Sequence, residues 1–270
     1  MTQNLVITGY GWLAGYVGKA LAGDVNIIGT TRSHEKCLAL KDQGIEGVEY
    51  TLGDDPEVVC RHLSNATLLL NVPPGRKSTH LETFTANMTA LIDAAVSAGV
   101  RHIVFVSTTS VYGDSTNELI NETSATAPQT ESAKAHVAIE NYLLAKRDQI
   151  DVSILRLAGL VGPDRHPARS LSGRELDAGN KRVNLVHIHD VVEALKKIIG
   201  SAPINGILHL CSLSHPKRGV YYVDAAKALN IEPPYFADTE NSPSGKVIDA
   251  HKSWEQLGVS PQYSDPYSMF

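Results

Sequence analysis

The chain has 270 residues, 43% of them hydrophobic, enough to bury a full-sized core in one compact α/β unit. A net charge of −5 with no long basic stripe excludes the phosphate-neutralising footprint of a nucleic-acid binder. No apolar run reaches transmembrane length and no basic, apolar leader precedes the first strand, while Cys37, Cys60 and Cys211 lie far apart without a CxxC. These features predict a cytoplasmic chain with reduced thiols, no membrane partner, no disulfide framework and no zinc site.

Short apolar runs at Leu5 to Thr8, Val25 to Gly29, Val48 to Thr51, Thr67 to Val72, His102 to Val106 and Val152 to Leu157 alternate with helical stretches. That alternation predicts right-handed βαβ units and a Rossmann-type, doubly wound parallel sheet. Leu81, Phe84, Met88, Leu91, Ile92 and Ala95 recur at helical spacing and predict one core-facing stripe, and residues 132–145 read as a second helix. Beyond Gly162 the pattern loosens. A Pro/Arg/Ser/Gly-rich stretch at 163–181 reads as a mobile loop over a cleft, followed by a strand–helix pair at 183–199, a strand at 207–211 and a helix at 220–229. The chain is thus expected to form a single dinucleotide-binding domain, with residues about 160–182 and 203–270 as a small C-terminal substrate-covering part.

The segment VITGYGWLAGYVGKAL sets Gly9, Gly11 and Ala14 as G-x-G-x-x-A between a predicted strand and a predicted helix. Gly9 permits the tight turn, Gly11 lets the backbone approach a pyrophosphate, and Ala14 keeps the helix close to the sheet, with Gly15 and Gly18 adding small surfaces. The amides at Trp12, Leu13 and Ala14 would then face the phosphates of a nicotinamide dinucleotide. About twenty residues on, where an NAD site carries an acid for the ribose hydroxyls, the chain reads Thr30, Thr31, Arg32, Ser33. Arg32 can pair bidentately with a 2′-phosphate, assisted by Thr31, Ser33 and Lys36, which favours NADP(H) over NAD(H). The alternative is an Arg32 that merely caps the next helix. Asn71, Val72 and Pro73, after the fourth strand, are expected to line the cofactor groove.

With the glycine loop, the segments at 100–114 (VRHIVFVSTTSVYGD), 127–140, 155–165 (LRLAGLVGPDR) and 184–195 (NLVHIHDVVEAL) resemble the extended short-chain dehydrogenase/reductase superfamily, which includes the NAD-dependent epimerases and dehydratases. The GYGWLA loop, the NVPPG segment and the short length look most like its atypical YeeZ-like group, known chiefly for lacking the usual catalytic pair. By this resemblance Thr108, four residues before Tyr112, would hydrogen-bond the reacting oxygen of the substrate, with Ser107 and Ser110 as alternatives. The family's Y-x-x-x-K aligns with Ser132 and His136, so its tyrosine and lysine are absent. A serine hydroxyl without an adjacent base does not titrate near neutrality. His136, Tyr112 or, less readily, Tyr142 would therefore handle the proton, and His136 is equally readable as an ordinary helix-surface histidine.

The resemblance also places Asp54 near an adenine ring and sets Arg165 and Arg169 in a loop over the substrate cleft, where they would suit an anionic or nucleotide-sugar substrate. It implies a homodimer. His187, His189 and Asp190 are too few for a metal, and Asp190 reads as the cap of a helix at 191–199. The resemblance thus implies an oxidoreductase or an epimerase/dehydratase-like enzyme acting on a small molecule. The competing reading is a cofactor-binding sensor that has lost turnover.

Overall fold

A computed structural model describes residues 3–74, 81–114, 118–237 and 244–270. The elements run β1 (Asn4–Thr8), α1 (Trp12–Ala20), β2 (Asn26–Thr31), α2 (His34–Lys41), β3 (Glu46–Glu49), α3 (Glu57–Cys60), β4 (Thr67–Leu70), α4 (Leu81–Ser97) and β5 (His102–Thr108). There follow β6 (Leu119–Ile120), α5 (Glu131–Leu144), β7 (Asp151–Leu157), β8 (Gly159–Val161), α6 (Pro167–Leu171), β9 (Glu175–Leu176), β10 (Leu185–His187) and α7 (Ile188–Gly200). The last are β11 (Gly206–Leu210), α8 (Arg218–Ala228), β12 (Tyr235–Phe236), β13 (Val247–Ile248) and α9 (His251–Leu257). Among the described residues no helix is long and apolar enough to cross a membrane.

The chain divides into two compact units, the first taking Met1–Val111, Pro128–Leu155 and Leu195–Ile207, the second Tyr112–Ala127, Arg156–Ala194 and Leu208–Phe270. Residues 160–182 and 208–270, expected on the substrate side, fall in the second unit, and 203–207 in the first. Residues 238–243 of that expected part lie outside the described residues.

In the first unit the sheet follows from runs such as LVIT and TLLL, whose side chains are buried and whose β-branched members favour extended backbone. Among the described residues the strands that lie wholly or mostly in this unit follow the order β7-β5-β4-β1-β2-β3. β1 lies parallel to β2 on one side, with Val6 opposite Ile28, and to β4 on the other, with Val6 opposite Leu68. Strand order therefore reverses direction at β1 and β4, and the carboxyl ends of these two strands form the crevice in which doubly wound sheets bind ligands. Val6, Leu68, Leu70, Ile103 and Phe105 pack with Met88, Leu91, Ile92 and Ala95 of α4 and with Ile139 and Leu143 of α5. The stripe expected on α4 is the buried one, although Leu81 and Phe84 at its start are only half-buried.

The second unit pairs very short strands, β8 with β10, β9 with β12 and β6 with β13, around Val161, Val183, Leu185, Tyr221 and Phe236. Its stretch at 163–181 is not an irregular loop throughout. His166 caps α6 by accepting the Ala168 amide on Nδ1 at 3.2 Å, Pro167 sits at the helix start, and Ala168 is buried. The helix expected at 191–199 begins earlier, at Ile188. His187 Nδ1 accepts the His189 amide at 3.3 Å, whereas Asp190 accepts the amides of Gln262 (2.8 Å) and Tyr263 (3.0 Å). Asp190 thus anchors the C-terminal segment, and His187 makes the capping bond first expected of Asp190.

Candidate dinucleotide site

The crevice at β1 and β4 is occupied by the glycine loop. Gly9 takes φ of +78°, and a β-carbon there would lie 2.8 Å from the Asn71 carbonyl oxygen and 3.0 Å from Val72 Cγ2, so conformation and space both demand glycine. Gly11 occupies the N-cap of α1, where no side chain caps the helix and no acid stands in the first turn. A β-carbon on Gly11 would meet nothing nearer than the Gly9 carbonyl at 3.9 Å. An open backbone surface at a helix start, with neither a capping side chain nor a carboxylate, fits a pyrophosphate. Leu13 and Ala14 are buried on the core side, and Trp12 packs edge-on to Tyr16. Gly15 does not add a packing surface, since a β-carbon there would touch nothing within 4 Å.

The sequence singled out Gly18 for close packing of helix on sheet, but the structure shows what fills the gap. The Tyr10 side chain lies between α1 and β2, so that a β-carbon on Gly18 would overlap its hydroxyl and one on Gly29 would come 2.5 Å from Cδ2. That hydroxyl is buried without a partner.

At the end of β2, Ser33 rather than Arg32 is the N-cap of α2, accepting the Lys36 amide at 3.4 Å. Arg32 is exposed, and among the described residues it has no ion-pair partner. Thr31, half-buried, lies opposite Glu49 in the sheet register, and Glu49 lies 3.4 Å from His34. This carboxylate, missed in the sequence because it belongs to the next strand, is the acid nearest in register to the end of β2. Asp54 closes its own turn by accepting the Thr51 amide at 3.0 Å, and Pro73 is exposed beyond half-buried Val72.

Of the expected catalytic residues, the first unit holds Thr108, Ser132, His136 and Tyr142. Thr108 Oγ1 accepts the Ser110 amide at 3.1 Å and lies 3.0 Å from Ser110 Oγ, closing the turn after β5. Ser107 is committed elsewhere, donating to buried Glu140 at 2.5 Å. Thr130 caps α5, and from its first two turns His136 Nδ1 reaches the Ser132 carbonyl at 2.8 Å. A carbonyl only accepts, so Nδ1 carries the proton and Nε2 keeps its lone pair. Burial lowers the His136 pKa, partly opposed by the Ser132 carbonyl and by Glu140, so the ring is neutral at pH 7 and Nε2 can accept a proton. Its ring also stacks on Phe105, with 5.7 Å between centroids. His136 is therefore a buried, oriented imidazole rather than an exposed one.

The hydroxyls of the two tyrosine candidates are both engaged by neighbouring side chains. Tyr112 is buried inside the second unit, where its hydroxyl accepts from Arg156 and donates at 2.6 Å to His209 Nε2. The direction follows because His209 Nδ1 must donate to the Asp249 carbonyl, 2.9 Å away. Tyr142 donates to Asp93 at 2.5 Å, a bond that raises its pKa. Arg165 and Arg169 are exposed side chains of the second unit, flanking the His166 cap of α6. Among the described residues no group of three or more His, Cys, Asp or Glu side chains could hold a metal.

A doubly wound sheet whose first strand feeds a glycine loop and an uncapped helix defines a Rossmann-type, dinucleotide-binding class of protein. The profile of the NAD dependent epimerase/dehydratase family matches residues 5–210, and the chain belongs to that family. A nicotinamide dinucleotide is therefore the cofactor class its membership carries. It is 33% identical to Protein YeeZ of Escherichia coli (strain K12), over 99% of this chain and 98% of that protein. Among solved structures it is similar to UDP-glucuronic acid 4-epimerase from Bacillus cereus in complex with NAD (TM-score 0.80, 13% identity, 99% and 96% of the two chains). It is also similar to UDP-glucose 4-epimerase with UDP-glucose from Thermotoga maritima (TM-score 0.78, 18% identity, 96% and 94%).

Proposed function

We propose that the chain binds NADP(H) on the Gly9–Ala14 loop, with Arg32 taking the 2′-phosphate, and that it acts as an oxidoreductase or an epimerase/dehydratase-like enzyme on a small anionic or nucleotide-sugar substrate. The observation that carries the cofactor is the start of α1, a glycine N-cap with no capping side chain and no acid in its first turn. Arg32, exposed and not used as a cap, supports the 2′-phosphate contact. The substrate class rests on the Thermotoga relative's UDP-glucose and on the exposed guanidinium groups of Arg165 and Arg169.

Bound nicotinamide supplies hydride exchange at the substrate carbon. Within this chain, His136 Nε2 takes the proton from the substrate hydroxyl, its tautomer fixed by the Ser132 carbonyl, while Thr108 orients the reacting oxygen. A second reading, a cofactor-binding sensor, is favoured by one specific observation: the hydroxyls of Tyr112 and Tyr142 are both engaged by other side chains of the protein. The homodimer implied by the family resemblance would show as a doubled mass in light scattering.

Fluorescence titration tests the cofactor. NADPH is expected to bind more tightly than NADH, and Arg32→Ala to weaken NADPH roughly ten- to hundredfold, the worth of a charge-assisted bond, with NADH unchanged. Equal losses for both nucleotides would remove Arg32 from the 2′-phosphate. His136→Gln separates the two readings. If the chain is an enzyme, single-turnover oxidation or reduction of a nucleotide sugar falls at least roughly hundredfold in the variant, with nucleotide affinity retained. Binding without turnover in the wild type favours the sensor.

A further inference from the structure

The glycine loop is held from two sides by side chains that a fingerprint search does not name. On the β2 side, the Thr30 hydroxyl accepts the Gly9 amide at 3.1 Å and the Thr30 carbonyl accepts the Tyr10 amide at 2.8 Å. On the β4 side, the Asn71 side-chain amide donates to the Gly9 carbonyl at 3.0 Å, and the Asn71 backbone amide donates to the Thr8 carbonyl at 3.0 Å. The Gly9 carbonyl also accepts the Gly11 amide at 2.8 Å. Thr30 is buried, and Asn71 sits half-buried against the loop.

These bonds have an electrostatic consequence. A carbonyl oxygen turned toward a pyrophosphate repels it, and a carbonyl has two lone pairs. At Gly9 both are engaged, one by Asn71 and one by Gly11, so this oxygen presents no bare negative dipole to an anion. Fixing the Gly9 and Tyr10 amides on Thr30 also settles the loop before ligand arrives, removing an ordering cost from binding.

We infer that Thr30 and Asn71 are positioning residues for the dinucleotide, acting through Gly9 to keep the phosphate-binding loop preorganised. The inference rests on the proposal that the loop binds NADP(H), and it gives Asn71 a role through the loop in place of groove lining.

The experiment compares Thr30→Val, which removes the hydroxyl at nearly constant shape, with Thr30→Ser, which restores it, and Asn71→Ser. Circular dichroism below the melting transition confirms that each is folded. NADPH affinity is expected to fall roughly five- to twentyfold in Thr30→Val and Asn71→Ser and to return within about twofold in Thr30→Ser. Adenosine 2′-phosphate, which lacks a pyrophosphate, should bind as it does to the wild type. Unchanged NADPH affinity in folded Thr30→Val and Asn71→Ser overturns the inference. Amide exchange without ligand keeps the test independent of the cofactor. Faster exchange at Gly9 and Tyr10 in Thr30→Val supports the clamp even if the wild type binds no nucleotide, which would sink only the cofactor reading, and unchanged exchange overturns the clamp itself.

Discussion

Lowering the pH from 7 to 5 is expected to destabilise the chain by about 5 kcal/mol, a large part of the 5–15 kcal/mol typical of a folded domain. The cause is three buried histidines, His102, His166 and His187, whose pKa values are pushed from 6.5 to about 4, chiefly by burial. Arg169 adds to the effect at His166 and His189 to that at His187, while at His102 the opposing influences of Asp151 and Arg101 are secondary.

Hydrogen bonding gives the same answer independently. Ser153 uses its own proton on the Ile204 carbonyl at 2.6 Å, so the 2.8 Å contact with His102 puts the imidazole proton on Nε2. His102 Nδ1 is then a bare acceptor buried without a partner, and a proton added there would find none. At His166 and His187 the Nδ1 lone pair accepts a backbone amide, which protonation would forfeit. Each ring therefore stays neutral in the folded chain down to about pH 4, whereas in the unfolded chain it takes a proton below about 6.5. Within that window the unfolded state binds more protons, and stability falls as the pH falls. Asp190 works in the opposite direction, because burial raises its carboxyl pKa, but it stands against these three histidines and against His136, His209 and His215, whose pKa values burial also lowers.

Thermal melts at pH 7, 6 and 5 check this. Melting temperature should drop steeply with acid, and His102→Gln, which keeps a donor for Ser153 but does not titrate, should remove about one proton from the uptake on unfolding. A melting temperature that stays flat across the range would contradict the assignment.

What the sequence disclosed divides along physical lines. The strands of the parallel sheet and their alternation with helices were legible because each buried strand carries its own apolar run and helices such as α4 their own period, whereas the order of the strands is set by pairing that no local pattern shows. Gly9 was legible because its positive φ and the close Asn71 carbonyl demand glycine, whereas Gly11, at φ of −109° with open space around it, was legible only through the G-x-G-x-x-A spacing. The pairs β8–β10, β9–β12 and β6–β13 were not, since strands of two or three residues are too short to show a period. The position of Tyr112 in the VYG segment offers it as a group to handle the substrate proton and says nothing of Arg156 and His209, which lie far along the chain and engage its hydroxyl. Glu49 escaped for the same reason, being set opposite Thr31 by register rather than by spacing. His136 was open to either reading until its neighbours were known. Phe105 and the Ser132 carbonyl fix its ring and its tautomer, and neither is visible in a helical i to i+4 pattern.

Gly18→Ala should cost about 3 kcal/mol or more in the wild-type background and roughly 1 kcal/mol when Tyr10 is also phenylalanine. A β-carbon at Gly18 overlaps the Tyr10 hydroxyl, while the next atoms, Tyr10 Cζ and Ile45 Cδ1, lie at 3.1 and 3.2 Å. Retreat is blocked on the far side, because the same ring lies against Gly29. Tyr10→Phe alone should be neutral or stabilising, since it deletes a buried hydroxyl that has no hydrogen-bond partner. Denaturant melts of the two single variants and the double then yield a coupling of about 2 kcal/mol. Two controls sharpen the reading. At Gly29 an added β-carbon meets ring atoms that phenylalanine keeps, and at Gly47 it overlaps the Cys37 backbone, with Cα at 2.7 Å, so Tyr10→Phe should rescue neither. If Tyr10→Phe proves destabilising and leaves Gly18→Ala unrescued, the hydroxyl has a bonding role. The outcome bears on the proposed dinucleotide site, because Tyr10 is the residue between Gly9 and Gly11, and a ring forced from its slot would shift the glycine-loop backbone with it.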